Sequence, residues 1–113
     1  MKAINVTTSE VLSNNLVLAD TLISRMKGLL GRDSMPADMA LWIRPCNGVH
    51  TFGMKFSIDV MYLDKDCNVI AMKKDLRPNK MTRLYLKSSS VLELPAGALD
   101  ATSTKIGDVI NIG

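Results

Sequence analysis

A single histidine, two carboxylates set in apolar strands and two arginines on one helix flank are the residues of this chain whose types and spacing could do chemistry. His50 is the only histidine, so any imidazole-based acid–base step must run through it. It stands in Val49-His50-Thr51-Phe52-Gly53-Met54, a mixture of apolar and small residues. Asp59 lies between Ile58 and Val60, and Glu93 between Leu92 and Leu94. A carboxylate among residues that favour burial needs a partner, because desolvation otherwise disfavours its charged form. Arg25, Arg32 and His50 are the available partners. If the helix flank meets both strands, these residues form an Arg–carboxylate–His network on a pocket wall, with Thr51 beside the histidine. The network would bind a small polar or anionic molecule, or would only orient the helix and loops, since a buried ion pair perturbs its members much as an active site does.

A catalytic use of the same residues is a small hydrolase or lyase. There His50 is the general base, Asp59 or Glu93 orients it, and an arginine stabilises the developing anion. A nucleophile needs a base beside it, and Cys46, four residues before His50, or Thr51, next to it, could supply one. No Gly-x-Ser-x-Gly, Walker or dinucleotide fingerprint occurs. His50→Gln separates the readings: a binding module keeps its ligand, whereas an enzyme loses turnover.

Metal chemistry has little support. Cys46, His50 and Cys67 give three soft or borderline ligands without paired Cys-x-x-Cys spacing. Asp64, Asp66 and Asn68 imitate the start of an EF-hand loop, but Val69 stands where the sharp turn needs glycine and Asp75 replaces the closing glutamate. No metal and no cofactor is expected. The two cysteines are expected to be free thiols.

The elements that must position these residues follow from periodicity. Lys2 to Thr7 and Leu16 to Ala19 read as strands of a hairpin turning at Ser13-Asn14-Asn15. Asp20-Thr21 supplies an N-cap, and Leu22, Ile23, Met26, Leu29 and Leu30 form the stripe of an amphipathic helix that Gly31 stops. Arg25, Gly28 and Arg32 fall on one flank of that helix. Gly28 in its interior would cost roughly 1 kcal/mol against alanine and so marks a close approach of another backbone. Met39 to Ile43 is a strand ended by Arg44-Pro45, and Ile58 to Leu63 with Val69 to Met72 is the clearest hairpin. Residues 76 to 83 read as a loop or ragged edge. Val91 to Leu94 is a strand, Pro95 can open a short helix to about Thr102, and Val109 to Ile112 closes the chain. The pattern gives about seven strands and two helices in one domain spanning residues 1–113.

With 113 residues, 47% hydrophobic and 22% charged, the chain can bury one core, and disorder is excluded. No apolar run approaches the ~20 residues of a membrane-spanning helix, and the first ten residues lack the features of a secretory signal, so a soluble cytoplasmic protein is expected. Lys73, Lys74, Arg77, Lys80, Arg83 and Lys87 face Asp75 alone within residues 73–87, so this segment carries more than the whole net charge of +3. It reads first as a solvated sheet edge kept from aggregating, and second as a surface for an acidic protein partner. Reversing Lys73, Lys74 and Arg77 would remove such a partner. Nucleic acid is disfavoured because only Tyr85 interleaves with the charges.

From about Ala19 to Ile112 an ordered series of motifs resembles the domain of unknown function 192 family: Gly31-Arg32, His50-Thr51-x-Gly53-Met54, Ile58-Asp59 and Leu92-Glu93-Leu94-Pro95-Ala96-Gly97. The resemblance implies a strand-rich α+β domain with a barrel-like antiparallel sheet and short helices, and it implies no particular activity. Many relatives carry a tryptophan-methionine pair near the central motif where this chain has His50-Thr51 and Met54. Relatives also tend to place glycine where Cys67 stands, so a left-handed conformation there would cost roughly 1–2 kcal/mol unless Asn68 takes it.

Overall fold

The run Ile-Asp-Val-Met-Tyr-Leu sets β-branched or aromatic residues at alternate positions with Met and Leu between, and a strand buried on both faces results. In the computed structural model, which describes residues 1–113, this is β5 (Ile58–Leu63), every residue of which is buried. The other elements, in chain order, are β1 (Ala3–Asn5), β2 (Glu10–Ser13), β3 (Asn15–Ala19), α1 (Leu22–Lys27), β4 (Met39–Ile43), β6 (Val69–Leu76), β7 (Ser90–Pro95), α2 (Ala98–Ala101) and β8 (Ile110–Ile112). They form a five-stranded sheet in the order β3-β4-β7-β5-β6 and a three-stranded sheet in the order β2-β1-β8.

Two apolar layers cover the larger sheet. Leu41, Ile43, Val60, Tyr62 and Val91 belong to one, and Trp42, Met61, Leu63, Leu92 and Leu94 to the other. Alternation along each strand divides them. The smaller sheet contributes Ala3 and Ile110 to the second layer. A buried clamp fixes it: Asn5 Nδ2 donates to Asp108 at 2.9 Å and to Thr104 Oγ1 at 3.3 Å. The Asn5 hydrogen bond, followed by one from the Lys105 N–H, holds the Asp108 carboxyl below its usual range.

The structure departs from the sequence expectations in specific places. The first hairpin joins β1 to β2, where the Asn5 side chain accepts from the Thr7 and Thr8 N–H groups and Ser9 takes a positive φ of 61°. β3, expected to pair with the first strand, runs parallel to β4 instead. The expected barrel-like antiparallel sheet is therefore a mixed one, and neither sheet closes. The gap between the sheets is spanned by one isolated pair, Asn68 with Val109, rather than by a continuous ladder.

The β5–β6 hairpin forms as expected, with β6 running on to Leu76. Asp64 accepts from the N–H groups of Asp66 and Asn68 and from the Asn68 side chain, which shapes the turn. Cys67 itself takes the left-handed position, φ 60°, at a cost of roughly 1–2 kcal/mol. Pro95 ends β7 and opens no helix, leaving α2 to begin at Ala98.

The largest departure concerns α1. Thr21 caps it through a reciprocal bond with Ser24, but it stops at Gly28, three residues before the expected Gly31. Gly28 has φ +47°, and an added Cβ would meet nothing closer than 3.8 Å, so the backbone conformation, not a close approach, calls for glycine. The apolar stripe does not face the core: Ile23 is 79% and Met26 68% exposed, while Leu29, beyond the helix, is buried.

Candidate functional site

Glu93 occupies the central strand of the larger sheet, opposite Leu41 on one side and Val60 on the other. Its neighbours in sequence, Leu92 and Leu94, point to the other layer, so alternation sends the carboxyl into the layer of Leu41, Val60 and Val91. The residue is 4% exposed, and its carboxyl makes no hydrogen bond or salt bridge with the protein. Burial pushes its carboxyl up to about 7.

Above Glu93 lies a cleft of about 130 Å³. Arg25, Gly28 and Leu30 form one side of it, Ile43, Cys46 and Val49 another, and His50 and Met54 also line it. Arg25 reaches it from α1, where its Nη1 donates to the Pro45 carbonyl at 3.2 Å while its Nε is buried without a partner. Cys46 follows β4, the neighbour of β7, and its thiol donates to the Gly48 carbonyl at 3.1 Å. Burial raises the thiol's pKa; the Gly48 bond opposes that rise, Glu93 adds to it and Arg25 lowers it. Cys46 is thus a neutral thiol at pH 7 and a weak nucleophile.

His50 stands at the edge, exposed, its ring stacked on Phe52 at 5.4 Å and its backbone bridged to Met81. Its side chain does not hydrogen-bond to either carboxylate expected to orient it.

The other residues expected at the pocket are placed elsewhere. Asp59 is 1% exposed but belongs to the opposite face from Glu93, paired in register with Leu94. Its Oδ1 accepts from the Asp75 N–H at 2.9 Å, and its Oδ2 accepts from Gly97 at 3.1 Å and Leu99 at 3.0 Å. The carboxylate thereby fastens the α2 entry and the end of β6 to β5. Thr51 is fully buried, and its Oγ1 accepts from the Lys80 N–H and donates to the Arg77 carbonyl, clipping the 77–82 loop in place. Arg32 is exposed and lines a separate groove with Val17, Leu18 and Met39. The expected cluster of Arg25, Arg32, His50, Thr51, Asp59 and Glu93 therefore does not form; Arg25, Glu93 and His50 are brought to one cleft. Cys46 had been weighed only as a partner of His50, and its position one strand from Glu93 required the β4–β7 pairing.

No group of three or more His, Cys, Asp or Glu side chains is arranged to hold a metal ion. Along the basic segment, Lys74 pairs with Asp100 at 2.6 Å, Arg77 approaches Asp75 at 3.8 Å, and Arg83 covers the Tyr85 ring. No helix is long and apolar enough to cross a membrane.

Fold and cleft together define an open two-sheet α+β domain with a carboxyl group at the floor of a half-apolar cavity. The chain belongs to the domain of unknown function 192 (DUF192) family, whose model, described as an uncharacterized ACR, matches residues 4–112 and so reaches back through β1, β2 and β3. A UPF0127 protein of Thermococcus sibiricus is 29% identical over 116 residues, covering 96% of this chain and 72% of that protein. A UPF0127 protein of Thermococcus gammatolerans is 28% identical with the same coverage. Among solved structures, a protein of unknown function from Novosphingobium aromaticivorans has a TM-score of 0.84 over 98% of this chain and 82% of that one. A proposed transcription regulator from Sinorhizobium meliloti has a TM-score of 0.80 over 97% and 89%. Both are 18% identical to this chain, a likeness that shows the shared fold.

Proposed function

We propose that this domain binds a small polar molecule in the Glu93 cleft. The observation that carries the reading is Glu93, a residue 4% exposed whose carboxyl has no protein partner and lines a cavity of about 130 Å³. Buried polar groups are nearly always hydrogen-bonded, and an orphan at a cavity is completed by what enters it. Arg25, lining the same cleft, adds positive charge, and Leu29, Ile43, Val49 and Met54 supply apolar walls.

A second reading, a hydrolase or lyase, draws on the same carboxyl, because an acid held near 7 suits proton transfer at neutral pH. In that reading Glu93 takes the role of general base expected of His50. The neutral Cys46 thiol gives it no activated nucleophile.

An NMR screen of small polar compounds tests the binding reading, with the methyl groups of Met54 and Val49 and the His50 ring as reporters. Compounds that bind in the cleft should shift these signals in the wild type, and the Met54 and Val49 methyl signals in His50→Gln, with no conversion of the compound. Turnover abolished by Glu93→Gln would favour the enzyme, and a screen in which no compound moves the cleft signals would contradict the binding reading.

A further inference from the structure

The polar groups around the cleft are unevenly charged. Arg25 and Lys27 bring two cations, and Glu93 is the only acid lining it. The groups facing Glu93 come from three sides: Arg25 from α1, Cys46 and His50 from the segment after β4, and Tyr62 from β5, whose hydroxyl donates to Thr82. β4 presents only Leu41 and Ile43. Arg25 is fixed by its bond to the Pro45 carbonyl, and its Nε has no partner. Glu93 makes no salt bridge with it.

These groups discriminate between ligand chemistries. An ammonium would gain Glu93 but enter against Arg25 and Lys27. A neutral amide would leave the arginine charge uncompensated. A carboxylate is drawn by the cations and accepts a hydrogen bond from a protonated Glu93, and bonds to charged acceptors are roughly twice as strong as neutral ones. Building on the cleft as a binding site, we infer that its ligand is a small monocarboxylate with a compact apolar body, held by Arg25 and by the Glu93 carboxyl.

The proton balance follows. Where Glu93 is ionised before binding, the complex takes up one proton from solvent, which stays on the Glu93 carboxyl and is shared in its hydrogen bond to the ligand. Burial already holds that carboxyl at about 7, so uptake is available at neutral pH. A cavity of about 130 Å³ is close to one that holds benzene, which suits an acid of about six heavy atoms.

Isobutyrate, isobutyramide and isobutylamine, similar in size and different in charge, provide the test on the intact protein by NMR titration at pH 6 and pH 8. Isobutyrate should bind, about tenfold tighter at pH 6, the ratio set by the protonated fraction of a group near 7. Calorimetry in buffers of different ionisation enthalpy should register proton uptake. Glu93→Gln, whose amide donates at every pH, should retain binding with a flat pH profile, and Arg25→Gln should weaken it at both. Preference for the amine or the amide, or equal isobutyrate affinity at pH 6 and 8, would overturn the carboxylate inference and leave the cleft a polar-ligand site. No shift with any of the three probes would overturn the carboxylate inference, while the binding reading falls only if the wider screen also moves no cleft signal.

Discussion

Glu93 is the residue on which the proposed binding turns, because burial favours its proton rather than its charge. In the unfolded chain a glutamate loses its proton near 4.5, whereas in the folded domain burial delays that to about 7. Stability from the neutral form is fully present below 4.5, declines as the unfolded state ionises, and is lost once the pH passes 7. The difference amounts to about 3 kcal/mol. Glu93→Gln removes this dependence. Urea denaturation should therefore show its stability relative to wild type rising by about 3 kcal/mol between pH 4 and pH 8; a constant difference would refute the pH linkage. That Glu93 and Asp59 are buried was legible, since both sit between large apolar residues in strand patterns. What each does was not: period 2 gives a face only relative to its own strand, and the register of β5 against β7 puts the two carboxylates on opposite faces.

Elements divide into those whose residues explain their position and one whose residues do not. β4, β5 and β7 were readable because runs of branched and aromatic residues leave no exposed face to misassign. α1 was readable as a helix by its cap and spacing, but not in its orientation, because six residues between Thr21 and Gly28 are too few to bury a stripe. Ile23→Lys should accordingly change stability by no more than about 0.5 kcal/mol. Asp59→Ala should cost about 3 kcal/mol or more, since it strips three backbone donors of their acceptor. Thermal denaturation of the two variants checks this contrast, and a costly Ile23→Lys beside a neutral Asp59→Ala would reverse the assignment of which element is anchored. In that anchoring, Asp59 acts on the fold and reaches the cleft only through the sheet.

At the scale of the whole molecule, two open sheets leave the five-stranded one covered on both faces, and the cleft lies in one of the two coverings. One layer is completed by the small sheet, with Ala3 and Ile110. The other is closed by the segments after α1 and β4, where Leu29, Val49 and Met54 enclose Glu93 incompletely. Sequence patterns identified the strands other than β2, whose Ser13 was expected in a turn, but not this arrangement, because the parallel β3–β4 pairing joins segments twenty residues apart with no short turn to announce it. Binding in the cleft and its pH dependence both rest on one physical state, a buried carboxyl that keeps its proton to neutral pH. Its most direct test is a ¹³C NMR titration of the glutamate side-chain carboxyls, with Glu93→Gln to assign the signal. A midpoint for Glu93 at about 7 is the predicted result, and a midpoint at the ordinary glutamate value near 4.5 would contradict it.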